Sequence, residues 1–182
     1  MRRKRVKRSI EINKKGYFSL EMMVIESESK LKGNMAECIV EQMFFEAGYH
    51  VFRFGYEHTI QYLKELVKEK KLRINQVTEK IRSMPDFIAV DTKGNTFFVE
   101  VKFRTDWTRW EEDKPLLERL INYWRDGILI VVSNKEPYFI ISTIKEYDDK
   151  RKLYPLSDFR IININKEIRE KYADLVKKYF RG

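Results

Sequence analysis

Met84-Pro85-Asp86-Phe87-Ile88-Ala89-Val90-Asp91-Thr92-Lys93-Gly94-Asn95-Thr96-Phe97-Phe98-Val99-Glu100-Val101-Lys102-Phe103-Arg104 decides how this chain of 182 residues is read. Phe87 to Val90 is a short apolar run, bounded by Pro85 and by the turn-forming Asp91-Thr92-Lys93-Gly94-Asn95. Thr96 to Phe103 is dense in β-branched and aromatic residues, so the pattern predicts a β-hairpin. Gly94 supplies the positive φ that the turn needs. Side chains alternate along a strand, which puts Thr96, Phe98, Glu100, Lys102 and Arg104 on one face and the apolar row Phe97, Val99, Val101 and Phe103 on the other. Glu100 and Lys102 therefore point the same way, their Cα atoms roughly 6.6–6.8 Å apart. Pairing with the preceding strand can set Asp86 beside them.

Two carboxylates that converge repel one another unless a cation lies between them, and hard oxygen ligands suit magnesium or manganese. A divalent ion so held polarises a phosphoryl oxygen and acidifies water, which is what attack on a phosphodiester requires. Lys102 can then stabilise charge developing on phosphorus or orient the attacking water.

Pro85-Asp86 followed by Glu100-Val101-Lys102 resembles the signature of the PD-(D/E)xK nuclease superfamily, in a layout similar to archaeal Holliday-junction resolvases and restriction endonucleases. Upstream, Lys32-Gly33-Asn34-Met35-Ala36-Glu37 before an apolar-periodic helix is similar to the resolvase-type start. Gly48-Tyr49-His50-Val51-Phe52-Arg53 resembles the family's glycine-stopped turn into its first strand. The resemblance covers residues 32–142. It implies an α/β fold with a restriction-endonuclease-like αβββαβ core, a mixed central sheet flanked by helices. It further implies a Mg²⁺-dependent endodeoxyribonuclease, with Mn²⁺ as a substitute, leaving 5′-phosphate and 3′-hydroxyl ends. Asp86, Glu100 and the Val101 carbonyl would hold the metal, Glu37 would serve a second ion or its water, and Lys102 would support attack. The alternative is a non-catalytic nucleic-acid-binding module on the same fold.

Each piece also has a plainer reading. Glu37 stands three residues after Asn34, the capping-box spacing, although Glu37, Val40, Glu41 and Phe44 share one helical stripe that suits a site on the sheet. Glu100 and Lys102 can be a charged pair on a solvated sheet surface. The ordered combination of PD, E-x-K and the upstream glutamate favours the catalytic reading. The glutamine-containing motif and the cysteine cluster of exonuclease-like relatives are missing. Junction resolution, restriction and repair remain as roles; a homodimer is expected for the first two.

Beyond the hairpin, Leu116, Leu117, Leu120, Ile121 and Trp124 fall at helical spacing within Pro115 to Arg125, with Gly127 as the stop. Ile128 to Val132 reads as a fully buried strand and Tyr138 to Ser142 as another. Residues 166–182 carry a C-terminal amphipathic helix with Ile168, Tyr172, Leu175, Val176 and Tyr179 inward. Residues 57–83 form a helical insertion after the first strand. One of its helices bears Ile60, Leu63, Leu66 and Val67. A second, with Val77 and Ile81, is capped by Asn75. Its lysines, Lys64, Lys68, Lys70 and Lys71, suit a solvated face, a DNA backbone or a second subunit.

The chain has 37 Lys and Arg against 28 Asp and Glu, a net charge of +9, which favours polyanionic partners such as branched or duplex DNA. Six of the first eight residues are basic, so residues 1–31 read as a basic arm and lead-in before a single domain over 32–182. Such an arm can dock on phosphates, act as a solubilising tail or serve as a targeting segment. Arg104 is the leading phosphate contact, joined by Lys32, Arg53, Arg82 and, in the arm, Arg2, Arg3, Lys4 and Arg5. Trp107 and Trp110 are candidates for stacking on a splayed base. No stretch reaches the ~18 apolar residues of a membrane span and no secretory leader is evident. With its single Cys38, the chain is expected in a reducing cytoplasm. His50 and His58 lack companions for zinc.

Overall fold

The computed structural model describes residues 27–54, 69, 75–108 and 114–180. The chain divides into two compact units, residues 1–35 and 36–182. In the first, residues 27–35 are helical. Lys32 Nζ there meets Glu28 Oε1 at 2.7 Å. Arg2, Arg3, Lys4 and Arg5 lie outside the described residues, as do the proposed helix over Ile60 to Val67, Lys64, Lys68, Lys70 and Lys71, and Trp110.

The second unit is α/β. Its described elements are α1 (residues 36–46), β1 (His50–Arg53), α2 (Gln76–Arg82), β2 (Phe87–Val90), β3 (Thr96–Arg104), α3 (Lys114–Tyr123), β4 (Ile128–Ser133), β5 (Phe139–Thr143), α4 (Ile144–Lys150), β6 (Tyr154–Pro155) and α5 (Lys166–Phe180). The strands form one six-stranded mixed sheet in sequential order, β1 to β6. Only β3 and β4 run parallel; the other neighbours are antiparallel. A parallel pair needs a crossover, and α3 lies within it.

Local chemistry explains the elements. The β2–β3 turn closes through the Asp91 carboxylate, which accepts from the backbone N–H of Lys93 at 2.9 Å and of Asn95 at 2.8 Å. Gly94 takes φ +86°, as the turn requires. Gly48, at φ +90°, ends α1 as expected, and the Tyr49 N–H behind it reaches the Phe44 carbonyl at 3.0 Å. Asn75 caps α2 in a reciprocal pair with Thr78, a true capping box. Asn34, by contrast, is itself helical, so it opens no helix and the capping reading of Glu37 falls away.

Both sheet faces are covered. On one, Phe44 of α1 meets Phe87 edge-on at 5.8 Å, and Phe103 stacks on Phe180 of α5 at 4.4 Å. On the other, Leu129 and Val131 pack in a cluster with Leu117 and Leu120 of α3 and Ile144 and Tyr147 of α4. Every residue of β4 is buried, as its uninterrupted apolar run implied.

Three differences from the sequence pattern have physical causes. Helix α3 ends at Tyr123, short of Arg125, because the Gly127 N–H turns back to the Trp124 carbonyl at 2.8 Å. Helix α4 went unread because Ile144 and Tyr147 are its only buried residues, too few for a periodic signal. Strand β6 is two residues long, and Pro155 has no N–H to continue a ladder.

Gly127 is also a steric keystone. A Cβ there would stand 2.9 Å from the Trp124 carbonyl oxygen, 3.1 Å from Ile144 Cδ1 and 3.3 Å from the Phe98 carbonyl oxygen. Two of these are backbone atoms that cannot rotate away, so Gly127→Ala is expected to destabilise by about 1–3 kcal/mol. Urea unfolding of the two proteins checks this; equal midpoints would contradict it.

Candidate active site

The β2–β3 register pairs Phe87 with Val99, and one further step sets Asp86 opposite Glu100. Asp86 is pinned on both sides. Its Oδ2 accepts the Val101 N–H at 2.7 Å, and its carbonyl accepts the Phe54 N–H at 3.0 Å, just beyond the end of β1. Glu100 Oε1 meets Lys102 Nζ at 2.7 Å, as strand alternation anticipated. The solvated-surface reading of this pair is overturned for the carboxylate, because Glu100 is only 4% exposed.

Burial comes from the same face of the sheet. Phe98, two residues before Glu100, packs against Trp124 at 5.1 Å and Phe54 at 5.7 Å, and Leu129 stands beside Glu100 in β4, fully buried. Trp124 Nε1 donates to the buried Ser83 Oγ at 3.2 Å, fixing the indole as part of this wall. Sequence reasoning did not find the wall. Its only signal was the helical stripe ending in Trp124.

Such surroundings perturb ionisation. Burial, reinforced by the Asp86 charge and only partly opposed by Lys102, raises the Glu100 carboxyl to about 8; Glu37 adds the smallest push. For Lys102, desolvation disfavours the charge, but Glu100, Asp86 and Glu37 outweigh it and hold the ammonium above its ordinary value. Lys102 is therefore a firm cation, not a proton acceptor.

The Glu100 shift has a consequence for stability. With its folded value raised, the native state binds the extra proton, so this contribution is complete below about pH 4.5 and is lost as pH rises through about 8. In metal-free protein, Glu100→Gln should gain in melting temperature relative to wild type as pH goes from about 5 to about 9. A difference that does not change with pH would contradict the buried carboxyl.

The remaining candidates fall in different places. Glu37 Oε2 lies 3.5 Å from Arg53 Nη1, while Arg53 Nε and Nη2 reach Glu41 Oε2 at 3.0 and 2.5 Å. Glu37 is thus turned to Arg53 and exerts the smallest of the influences on Glu100. Arg104 is half-buried and donates to the Phe103 carbonyl at 2.6 Å. Arg82 pairs with Glu79 at 2.9 Å on α2. Trp107 packs against the α3–α4 cluster, which argues against its stacking on a base.

No family model, curated protein or solved structure matches this chain. Function must therefore be read from the chemistry of the site.

Among the described residues, no group of three or more His, Cys, Asp and Glu side chains stands at metal-holding spacing. The donor set nevertheless suits a hard cation. Asp86 and Glu100 offer carboxylate oxygens and Val101 a carbonyl, and the raised Glu100 carboxyl marks a place where added positive charge is favourable. No described helix is long and apolar enough to cross a membrane.

Proposed function

We propose that the chain is a Mg²⁺-dependent endodeoxyribonuclease, built on a restriction-endonuclease-like core and acting on branched or duplex DNA. The observation that carries this reading is the buried Glu100 carboxyl, set opposite Asp86 and tied to Lys102 at 2.7 Å. A carboxylate is seldom buried beside a second, partly exposed one without a functional reason. Asp86, Glu100 and the Val101 carbonyl would hold Mg²⁺, or Mn²⁺ in its place. When bound, the ion supplies Lewis acidity toward a phosphoryl oxygen and acidifies water.

The chain's own residues do the rest. Asp86 is oriented by the Val101 N–H before any ligand arrives. Lys102 keeps its proton and donates hydrogen bonds to a phosphoryl oxygen or the attacking water. Phe98, Phe54 and Trp124 exclude bulk water on one side and so strengthen these interactions. The charge of +9 draws a polyanion toward the protein. Incubation with four-way junctions, linear duplex, single strands and RNA should give cleavage of DNA with Mg²⁺ or Mn²⁺, none in EDTA, and 5′-phosphate ends. Failure to cut any of these substrates removes the proposal.

One observation favours a second reading, a nucleic-acid-binding module without catalysis. Lys102 Nζ is in contact with Glu100 Oε1 at 2.7 Å, an arrangement that a purely structural pair also has. Such a module would bind DNA with a steep salt dependence and show no effect of Mn²⁺.

A further inference from the structure

Several features of the protein have no assigned role. A cavity of about 550 Å³ lies near Tyr49, Asp91, Lys93 and Arg160, and an open groove runs along Tyr138 and α5. Exposed Phe45 and Phe52 lie on α1 and β1, and Cys38 is an exposed thiol. None brings together groups that specify a ligand. The cluster of Arg53, Glu37 and Glu41 does, because its geometry is that of an anion-binding arginine already occupied by an internal anion.

We propose that Glu41 is a competitive tether: it holds the Arg53 guanidinium in the free protein, and a DNA backbone phosphate displaces its carboxylate on binding. This rests on the nucleic-acid reading of the site. Arg53 Nε and Nη2 both donate to Glu41 Oε2, at 3.0 and 2.5 Å. The planar fork that meets a carboxylate in this way meets phosphate oxygens equally well. Arg53 is also close in the backbone to the carboxylate site. It is the last residue of β1, and the next residue, Phe54, donates its N–H to the carbonyl of Asp86 at 3.0 Å. The Arg53 backbone is thus one residue from the position that pairs with Asp86, while its side chain projects on the α1 face beside Glu41 and Glu37.

The exchange needs no unfolding. The side chains of Arg53 and Glu41 are 30% and 21% exposed, so rotation about side-chain bonds suffices. A pair this open to water contributes little to stability. Two carboxylates, Glu37 and Glu41, share the one guanidinium, so this corner repels a polyanion until Arg53 turns outward. Once it has turned, the contact of its Nη1 with Glu37 is broken as well. Glu41 shares the helical stripe of Glu37, but its pairing is not legible in the sequence, since its partner is twelve residues away on another element.

The test measures binding of a labelled four-way junction and a linear duplex to the full chain in EDTA, across a series of salt concentrations. Glu41→Gln should tighten binding several-fold, about tenfold at most, because the competitor is gone. Arg53→Ala should weaken it about tenfold and lower the salt slope by about one. The double variant should bind like Arg53→Ala, and Arg53→Lys should recover part of the loss. Should Arg53→Ala fail to fold, Glu41→Gln in the wild-type and Arg53→Lys backgrounds decides the matter. Glu41→Gln binding no tighter than wild type, or equally tight without Arg53, overturns the tether. Cleavage with Mg²⁺ is scored separately: its absence removes the nuclease proposal while the binding series still judges Glu41. A wild type that binds no DNA overturns both.

Discussion

Glu100→Gln is expected to reduce DNA cleavage to the level of wild type in EDTA while leaving salt-dependent DNA binding intact. The amide matches the carboxylate in shape but offers no charge to a cation, and Glu100 is buried, with Leu129 beside it in β4. Asp86→Asn should behave alike, since Asp86 lies opposite Glu100 and is fixed by the Val101 N–H at 2.7 Å. Lys102→Ala should fall by about 10²–10³-fold, the usual cost of removing one donor to developing charge. Its metal affinity should survive. Single-turnover cleavage of the preferred substrate, with binding measured in parallel, checks all three. Cleavage retained in Glu100→Gln would end the nuclease account, whereas equal loss of cleavage and binding would point to damage of the fold.

Phe44→Ala should destabilise the second unit strongly, by about 3–5 kcal/mol. Phe44 is wholly buried, and its ring lies 5.1 Å from Tyr49 and 5.8 Å from Phe87. Tyr49 in turn accepts the Asn163 N–H at 3.0 Å, so the same aromatic group ties α1 to the segment that precedes α5. Truncation leaves a cavity that neither strand nor helix can close without moving. For a protein of this size the loss corresponds to a fall in melting temperature on the order of 10 °C. Phe87 adjoins Asp86, so activity should fall with stability. A loss under about 1 kcal/mol would mean that α1 is not clamped to the sheet as described.

The hairpin was legible in the sequence because its determinants are local. Alternation gave the faces of β3, and Asp91 with Gly94 gave the turn. The meeting of Glu100 with Lys102 followed from the same alternation. What could not be read was the environment of that face. Whether Glu100 is solvated depends on Phe54 and Trp124, which lie 46 residues before it and 24 after it, and on the docking of α3 and α4. The orientation of Glu37 was hidden for the same reason: the helical stripe placed it toward the sheet, but its turn toward Arg53 depends on a pairing sixteen residues apart. Arg53 and Arg82, expected at a phosphate backbone from charge alone, are engaged with Glu41 and Glu79, partners that composition does not reveal.

Calorimetric titration of metal-free protein with Mn²⁺ tests most directly whether Asp86 and Glu100 hold one divalent cation beside Lys102. Saturable uptake that disappears in both Asp86→Asn and Glu100→Gln and persists in Lys102→Ala is the predicted result. Absence of binding to the wild type, or binding that both carboxylate variants retain, would contradict it.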